Sequence, residues 1–132
     1  MPTPRPDWAP EPTGLDAKLG IVITDFTADR MVATMPVAGN EQPHGLLHGG
    51  ATCALVESIG SWAAALHAGP GRQVVGIELN ASYLRAATEG VVTAVCTPVR
   101  RGRTLATFLV EVTDDQGRPT ATARLTCLVK QD

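Results

Sequence analysis

Aromatic side chains are scarce: Phe, Trp and Tyr make up 4% of the 132 residues. Proteins that bind single-stranded nucleic acid stack bases on aromatic rings, and surfaces that bind its phosphates carry an excess of basic residues. The chain has 11 Lys and Arg residues against 13 Asp and Glu, which gives a formal net charge of -2. The composition therefore argues against nucleic acid as a partner, although a local basic cluster can still hold a small phosphate ligand.

Cysteine motifs and metal-ligand spacings are also missing. Cys53, Cys96 and Cys127 lie in apolar segments with no CxxC pattern, so we expect reduced, buried thiols. No basic residue lies beside Cys53 in sequence to activate it as a nucleophile. The three histidines show no ligand pairing, and no GxSxG motif is present, which argues against a metal site and against a Ser-His-Asp triad.

The N-terminal residues 1–13 contain five prolines and no apolar periodicity. We expect a flexible arm there, followed by one domain over residues 14–132 with a single core. The arm is polar where a signal peptide would be apolar, and Glu57 interrupts the longest apolar run, so a membrane span is not expected. The sequence therefore predicts a cytoplasmic protein.

Hydrophobic patterning predicts one long helix among β-rich runs. Residues 49–67 are apolar and end at Gly69-Pro70-Gly71, which predicts a helix about 28 Å long. The other predicted elements are a short helix at 15–19 and strands at 21–26, 30–35, 74–84, 91–100, 104–114 and 120–129. Short links between the last four strands favour an antiparallel meander. The expected architecture is α+β, one buried helix wrapped by an antiparallel sheet whose open edge makes an oligomer plausible.

Glu57 is the only charged residue in the apolar run from Gly50 to Ala68. A helix that is apolar on nearly every face should be buried, which predicts a buried carboxylate. Such a group costs several kcal/mol unless it is paired or protonated, so it is retained for core pairing or for chemistry. Ser61 lies one turn later on the same face and could orient the carboxylate or a water, or simply bond to a helix carbonyl.

The turn His48-Gly49-Gly50 leads directly into this helix. The first N–H groups of a helix lack partners and its dipole makes that end positive, so it can polarise a carbonyl. A Gly-Gly pair is equally typical of an ordinary tight turn. Gln42 and His48 could bind a substrate carbonyl or merely shape the loop. Gly49 and Glu57 are about 12 Å apart along the helix, so acting on one carbonyl requires two subunits with antiparallel helices.

A basic turn follows the fourth predicted strand. Arg100, Arg101 and Arg103 surround Gly102, and Arg85 lies in an earlier segment. The turn is either a solvated hairpin tip or a grip for a phosphate group.

Two motifs together resemble a known family. The stretch from Gln42 to Ala51 (QPHGLLHGGA), followed by Glu57 to Ser61 (ESIGS), resembles the hotdog-fold acyl-CoA thioesterases. The likeness extends over about residues 14–130 and includes the stretch from Val74 to Ala81. The most similar branch holds 4-hydroxybenzoyl-CoA thioesterase of the Arthrobacter type, the 1,4-dihydroxy-2-naphthoyl-CoA hydrolases and the phenylacetate-pathway thioesterases.

The resemblance implies a fold, a reaction and a set of site residues. It implies the hotdog fold and makes Glu57 the catalytic carboxylate, as nucleophile or general base, with Ser61 supporting it. Gly49 would polarise the thioester carbonyl, and Gln42 and His48 would orient it. Coenzyme A would be bound by Gly76, Tyr83, Leu84, Arg85, Ala86, Arg100, Arg101, Gly102, Arg103, Thr104 and Leu105. No cofactor is implied, because coenzyme A is part of the substrate.

The expected function is hydrolysis of an acyl-CoA thioester, with an aromatic acyl group, in a homodimer or a dimer of dimers (a homotetramer). Two alternatives remain at this point. A hotdog dehydratase acting on acyl-CoA or acyl-carrier protein also pairs a loop histidine with a helix acid, and it would dehydrate 3-hydroxyacyl-CoA. A non-catalytic acyl-CoA-binding module would bind the thioester without releasing thiol. The sequence identifies neither the acyl group nor the thiol carrier.

Overall fold

The computed structural model describes residues 1–131. Two helices and six strands follow one another in the order α1, β1, β2, α2, β3, β4, β5 and β6. Their bounds are α1 Gly14–Leu19, β1 Val22–Asp25, β2 Met31–Pro36, α2 Gly49–Ala68, β3 Val74–Tyr83, β4 Val91–Arg101, β5 Leu105–Thr113 and β6 Pro119–Val129. Each predicted helix and strand is present, which confirms the α+β prediction. No helix in the described part of the chain has the length and hydropathy needed to cross a membrane.

The six strands form one antiparallel sheet in the order β1-β2-β4-β5-β6-β3. Strands β4, β5 and β6 form the predicted meander, but β3 pairs with β6 and not with β4. The prediction of one meander over all four strands was therefore wrong for β3. Residues 84–90 are a crossover: Leu84 N–H donates to the Thr120 carbonyl at 2.8 Å, and Val37 N–H donates to the Gly90 carbonyl at 2.9 Å. This crossover runs along the end of the sheet from β6 to β2, which short-range patterning does not reveal.

Helix α2 lies across the sheet and buries one of its faces in the core. Its buried residues are Ala51, Thr52, Leu55, Val56, Ile59, Gly60, Ala63 and Ala64. Gly60 marks the closest approach, because a methyl group there would lie 2.5 Å from Cδ2 of Leu125 on β6. Phe108 and Leu125 are fully buried beneath the helix as part of the same core. Small residues on α2 thus allow the helix to pack closely on the sheet.

The opposite face of α2 is uncovered in the single chain, and it carries Glu57. The prediction that Glu57 is buried was wrong: the side chain is exposed. The helix looked apolar on all sides because its outer face consists of small or aromatic residues, such as Cys53, Ala54 and Trp62, which are only half-buried. The composition of the helix does not reveal that the sheet covers only one of its faces.

The N-terminal arm makes specific contacts with the domain. Phe26 N–H donates to the Thr3 carbonyl at 2.9 Å, and Thr3 N–H donates to Oδ1 of Asp25 at 3.0 Å. Farther along, Ala9 is buried and Arg5 forms an ion pair with Glu11. The flexibility expected for residues 1–13 stays a prediction, but these contacts lay the arm alongside β1.

Candidate functional site

The start of α2 leaves one backbone donor free. His48 caps the helix, and its Nδ1 accepts a hydrogen bond from Gly50 N–H at 2.8 Å. Because Nδ1 is the acceptor, the neutral ring carries its proton on Nε2, in an exposed side chain. Gly49 N–H has no acceptor among residues 1–131. The helix end therefore presents the Gly49 N–H at its positive pole, where a carbonyl oxygen acquiring negative charge would be stabilised.

Gln42 holds the loop before the helix in shape. Its N–H donates to the Leu46 carbonyl at 2.7 Å, and its Oε1 accepts from His44 N–H and Leu46 N–H. The side-chain oxygen is thus occupied by the loop, which leaves the Nε2 amide as a donor for another group. Gln42 therefore shapes the loop, and its amide is left as a donor, while binding of a substrate carbonyl by Gln42 stays a prediction.

A cavity of about 520 Å³ lies beside this helix end. It brings together six residues that the sequence singled out: Gln42, Gly49, Tyr83, Leu84, Arg85 and Ala86. The Tyr83 side chain is largely exposed, but its hydroxyl donates to the Gly49 carbonyl at 2.9 Å and lies 3.1 Å from Sγ of Cys53. The side-chain hydrogen bond with Cys53 is the main cause that raises the pKa of Tyr83, and burial raises it further. The phenol is therefore protonated at neutral pH.

The Glu57 carboxylate lies two turns along the helix and has its own surroundings. Oε2 accepts a hydrogen bond from the Ser61 hydroxyl at 3.3 Å, which matches the predicted pairing of these two side chains. The same oxygen lies so close to the Gly76 α-carbon that a methyl group there would overlap it. A bulge in β3 directly follows Gly76: Gly76 pairs with Cys127 of β6, whereas Glu78 pairs with Thr126. Glycine at this position therefore makes room for the carboxylate.

A buried thiol lies behind this carboxylate. The pKa of Cys127 is raised to about 11, first by burial and then by the negative charge of Glu57, while hydrogen bonding to Ser61 opposes the shift. The pKa of Cys96 is raised to about 12, chiefly by burial. Both thiols are neutral at physiological pH, and both are buried as the sequence predicted. The same prediction was wrong for Cys53, which is only half-buried because it lies on the face of α2 that the sheet does not cover.

A second cavity, of about 480 Å³, contains Glu57 and Ser61. Its other walls include Trp8 and Pro10 from the arm, together with Trp62 and Arg72. Sequence reasoning missed Trp8 and Arg72, because nothing in their local pattern indicates that the arm and the segment after α2 both approach Glu57. The scarcity of tryptophan was the one available signal: both tryptophans of the chain line this cavity.

The remaining predicted residues lie at the other end of α2. The hairpin tip of residues 100–105 is tied there by a 2.7 Å hydrogen bond between Nε2 of His67 and the Gly102 carbonyl. Arg101 forms a 2.9 Å ion pair with Asp29 of the β1–β2 turn, while Arg100 and Arg103 are exposed. One chain therefore does not bring this basic tip together with Arg85, since the 20-residue helix separates them by about 30 Å. Gly49 and Glu57 likewise line different cavities.

Comparison with known proteins identifies the family of the chain. The family model described as the Thioesterase superfamily matches residues 44–121, which is more than half of the chain. The proofreading thioesterase EntH of Cronobacter sakazakii is 45% identical over 112 residues, which cover 84% of this chain and 82% of that protein. Thioesterase HI1161 of Haemophilus influenzae has a solved structure that is 39% identical, with a TM-score of 0.84, covering 88% of this chain and 82% of that one.

A more distant solved structure shares the fold alone. It is a hypothetical thioesterase protein with coenzyme A from Streptococcus pneumoniae, 24% identical with a TM-score of 0.77, covering 88% of this chain and 91% of that one. The hotdog fold implied by the sequence motifs is confirmed by the family match and by these neighbours. The chain belongs to the thioesterase superfamily and is a thioester hydrolase of the hotdog fold.

Proposed function

We propose that this hydrolase cleaves acyl-CoA thioesters with an aromatic acyl group, in the manner of the 4-hydroxybenzoyl-CoA and naphthoyl-CoA branch, at sites shared between two copies of the chain. The observation that carries the proposal is the pair of groups on α2: the Glu57 carboxylate and a Gly49 N–H that has no acceptor within the described residues 1–131. Ser61 and the space at Gly76 hold that carboxylate in place. A donor and an ionised acid are the two groups that thioester hydrolysis needs.

Two copies are required because one helix separates the two groups by about 12 Å. Antiparallel packing of the uncovered α2 faces would bring Gly49 of one copy towards Glu57 of the other. The edge strand β3 supports such packing, since Val75 and Ile77 expose large apolar side chains along it. The same arrangement would carry the hairpin tip of residues 100–105 towards the partner's Gly49 cavity, where Arg100 and Arg103 could meet the phosphates of coenzyme A.

The proposed chemistry starts with the thioester carbonyl oxygen accepting a hydrogen bond from Gly49 N–H. Glu57 takes a proton from a water molecule, and the resulting hydroxide adds to the carbonyl carbon. The tetrahedral intermediate then collapses to the free acid as the carbon–sulfur bond breaks. The departing sulfur takes the proton held by Glu57 and leaves as the coenzyme A thiol, which regenerates the carboxylate. In the nucleophilic variant Glu57 itself adds to the carbon, and water then hydrolyses the resulting anhydride. Single turnover in ¹⁸O-water distinguishes the two routes, because only the anhydride route can place label in Glu57.

The experiment is a thiol-release assay with Ellman's reagent over aromatic and alkyl CoA thioesters, comparing the wild type with Glu57→Gln. Loss of the carboxylate should lower kcat by about 10²–10⁴-fold while the oligomer stays folded. Glu78→Gln on β3 is the matched control, since Glu78 is an exposed acid whose side chain bonds to Asn80. Near wild-type turnover by Glu57→Gln would contradict the assignment.

The superfamily match favours hydrolysis over the two alternatives considered from the sequence. Dehydration of 3-hydroxyacyl-CoA without thiol release would support the dehydratase, and tight acyl-CoA binding without thiol release would support the binding module. The half-buried Cys53 thiol of the enzyme can itself react with Ellman's reagent, so enzyme without substrate sets the baseline.

A further inference from the structure

The cavity around Glu57 is lined by tryptophan side chains, although aromatic residues are scarce in this chain. Trp8 and Pro10 of the arm line it together with Glu57, Ser61 and Trp62 of α2. We name this cavity the tryptophan groove. Its volume of about 480 Å³ falls within the usual range for small-molecule sites. The two tryptophans of an aromatic-poor chain therefore lie in one groove, beside the carboxylate proposed to act on the thioester.

The arm is fastened on both sides of Trp8, which gives that side chain a defined place. On the N-terminal side, Thr3 exchanges backbone and side-chain hydrogen bonds with Asp25, Phe26 and Thr27. On the C-terminal side, Ala9 is buried. Its N–H donates to the Pro6 carbonyl at 3.0 Å, which closes a turn of the arm around Trp8. Trp8 itself is 43% exposed, so part of its ring is free to contact a ligand.

Trp62 is held from the other direction. Its ring packs edge-on against Phe26, with 5.7 Å between the ring centroids and an interplanar angle of 90°. A smaller cavity of about 250 Å³, lined by other residues of the arm, shares Trp62 as a wall, together with Ile21 and Ile23. The position of Trp62 is thus fixed by packing, and its free surface lines the groove.

We propose that the tryptophan groove receives the acyl group of the substrate, and that Trp8 and Trp62 select an aromatic ring there. Rings favour offset or edge-to-face contact with other rings, which an alkyl chain cannot match. The thioester carbonyl of a ring seated between these side chains would lie next to Glu57. The proposal rests on the proposed function and assigns the acyl specificity to the N-terminal arm, outside the residues that carry the chemistry.

The first test compares kcat/KM for benzoyl-CoA and butyryl-CoA in full-length variants. Trp8→Ala should lower kcat/KM for benzoyl-CoA by about tenfold and leave that for butyryl-CoA within about twofold, because only the ring contact is lost. Trp8→Phe should recover most of the benzoyl-CoA activity. Asp7→Ala is the matched control, since Asp7 is an exposed arm residue outside the groove wall.

The second test uses binding without turnover. Both tryptophans of the chain, Trp8 and Trp62, line the groove, so tryptophan fluorescence reports on it. Trp62 also lines the smaller cavity, so the Trp8 part of the signal is the part specific to the groove. In a Glu57→Gln background, benzoyl-CoA should change the emission at saturation, whereas butyryl-CoA and free coenzyme A should change it far less. Trp8→Phe in the same background should remove part of the response and leave the part due to Trp62.

The outcomes separate the two proposals. If the wild type releases thiol from benzoyl-CoA but Trp8→Ala lowers the benzoyl-CoA and butyryl-CoA values by the same factor, the groove assignment is overturned and the hydrolase function stands. If the wild type releases no thiol from any acyl-CoA, the proposed function fails. In that case an emission change specific to benzoyl-CoA still supports the groove, and the absence of such a change overturns it.

Discussion

The Glu57 carboxylate lies against the α-carbon of Gly76, so closely that a methyl group in place of the glycine hydrogen would overlap Oε2. The obstacle would be the end of a flexible side chain and not backbone, so an alanine at position 76 displaces the carboxylate without blocking folding. Gly76 therefore sets the position of the acid, apart from any contact that its strand makes with coenzyme A.

Gly76→Ala should consequently lower kcat with little change in KM, whereas a purely CoA-binding role for Gly76 would raise KM. Glu57→Asp shortens the acid by one methylene and makes room for the new methyl group. We expect the double variant to lose less activity than the product of the two single losses predicts. Glu78→Gln, at the exposed residue next to the bulge, is the control, and steady-state kinetics with thermal unfolding is the measurement.

Replacing Gly60 with alanine should destabilise the protein, although helix propensity alone favours alanine. Alanine is the better helix former by about 1 kcal/mol, but a methyl group at this position would meet Leu125 at 2.5 Å. We expect Gly60→Ala to lower the free energy of unfolding by about 1–3 kcal/mol in urea titrations. Combining it with Leu125→Ala should cost less than the sum of the two single losses. A stabilised Gly60→Ala variant would show that α2 is not packed as tightly as described.

His48 allows the structural role of a cap to be separated from a role in substrate binding. His48→Ala removes the acceptor for Gly50 N–H and should lower the free energy of unfolding by about 0.5–2 kcal/mol. Asparagine is a good N-cap residue, so His48→Asn should recover that stability. If Nε2–H contacts the substrate, the asparagine variant will remain low in kcat/KM although it is stable. Recovery of both properties by asparagine would restrict His48 to the cap.

The buried thiols predict how stability depends on pH. The folded pKa values of Cys96 and Cys127, about 12 and about 11, lie above the value of about 8.5 for an unfolded cysteine. The folded state therefore holds these protons more tightly. Their contribution to stability is complete below about pH 8.5 and is lost as the pH rises from there towards 11–12.

Urea unfolding from pH 7.5 to 10.5 should show a falling free energy of unfolding. Cys96→Ala removes one of the two titrating thiols, so its stability should fall less steeply with pH even though the variant begins less stable. An unchanged slope in Cys96→Ala would mean that other groups cause the alkaline loss.

The features that the sequence predicted well are local. The bounds of α2 followed from the Gly-rich turns at its ends, and the contact between Glu57 and Ser61 followed from their spacing of one helical turn. The exposure of Glu57 was not predictable, because it depends on which face of α2 the sheet covers. The pairing of β3 with β6 and the approach of Trp8 to Glu57 depend on long-range packing that no local pattern contains.

The position of β3 in the sheet has a consequence for synthesis on the ribosome. In the described chain, β3 pairs only with β6. Val74 therefore cannot pair until Val129 has been synthesised, 55 residues later. Until then the nascent segment that carries Gly76 and Tyr83 has no neighbouring strand, and its apolar residues are open to chaperones or to aggregation. A gene shortened at its 3′ end, so that β6 is missing, should therefore leave β3 unpaired and Gly76 no longer positioned against Glu57. The codons for every proposed reacting group would still be present.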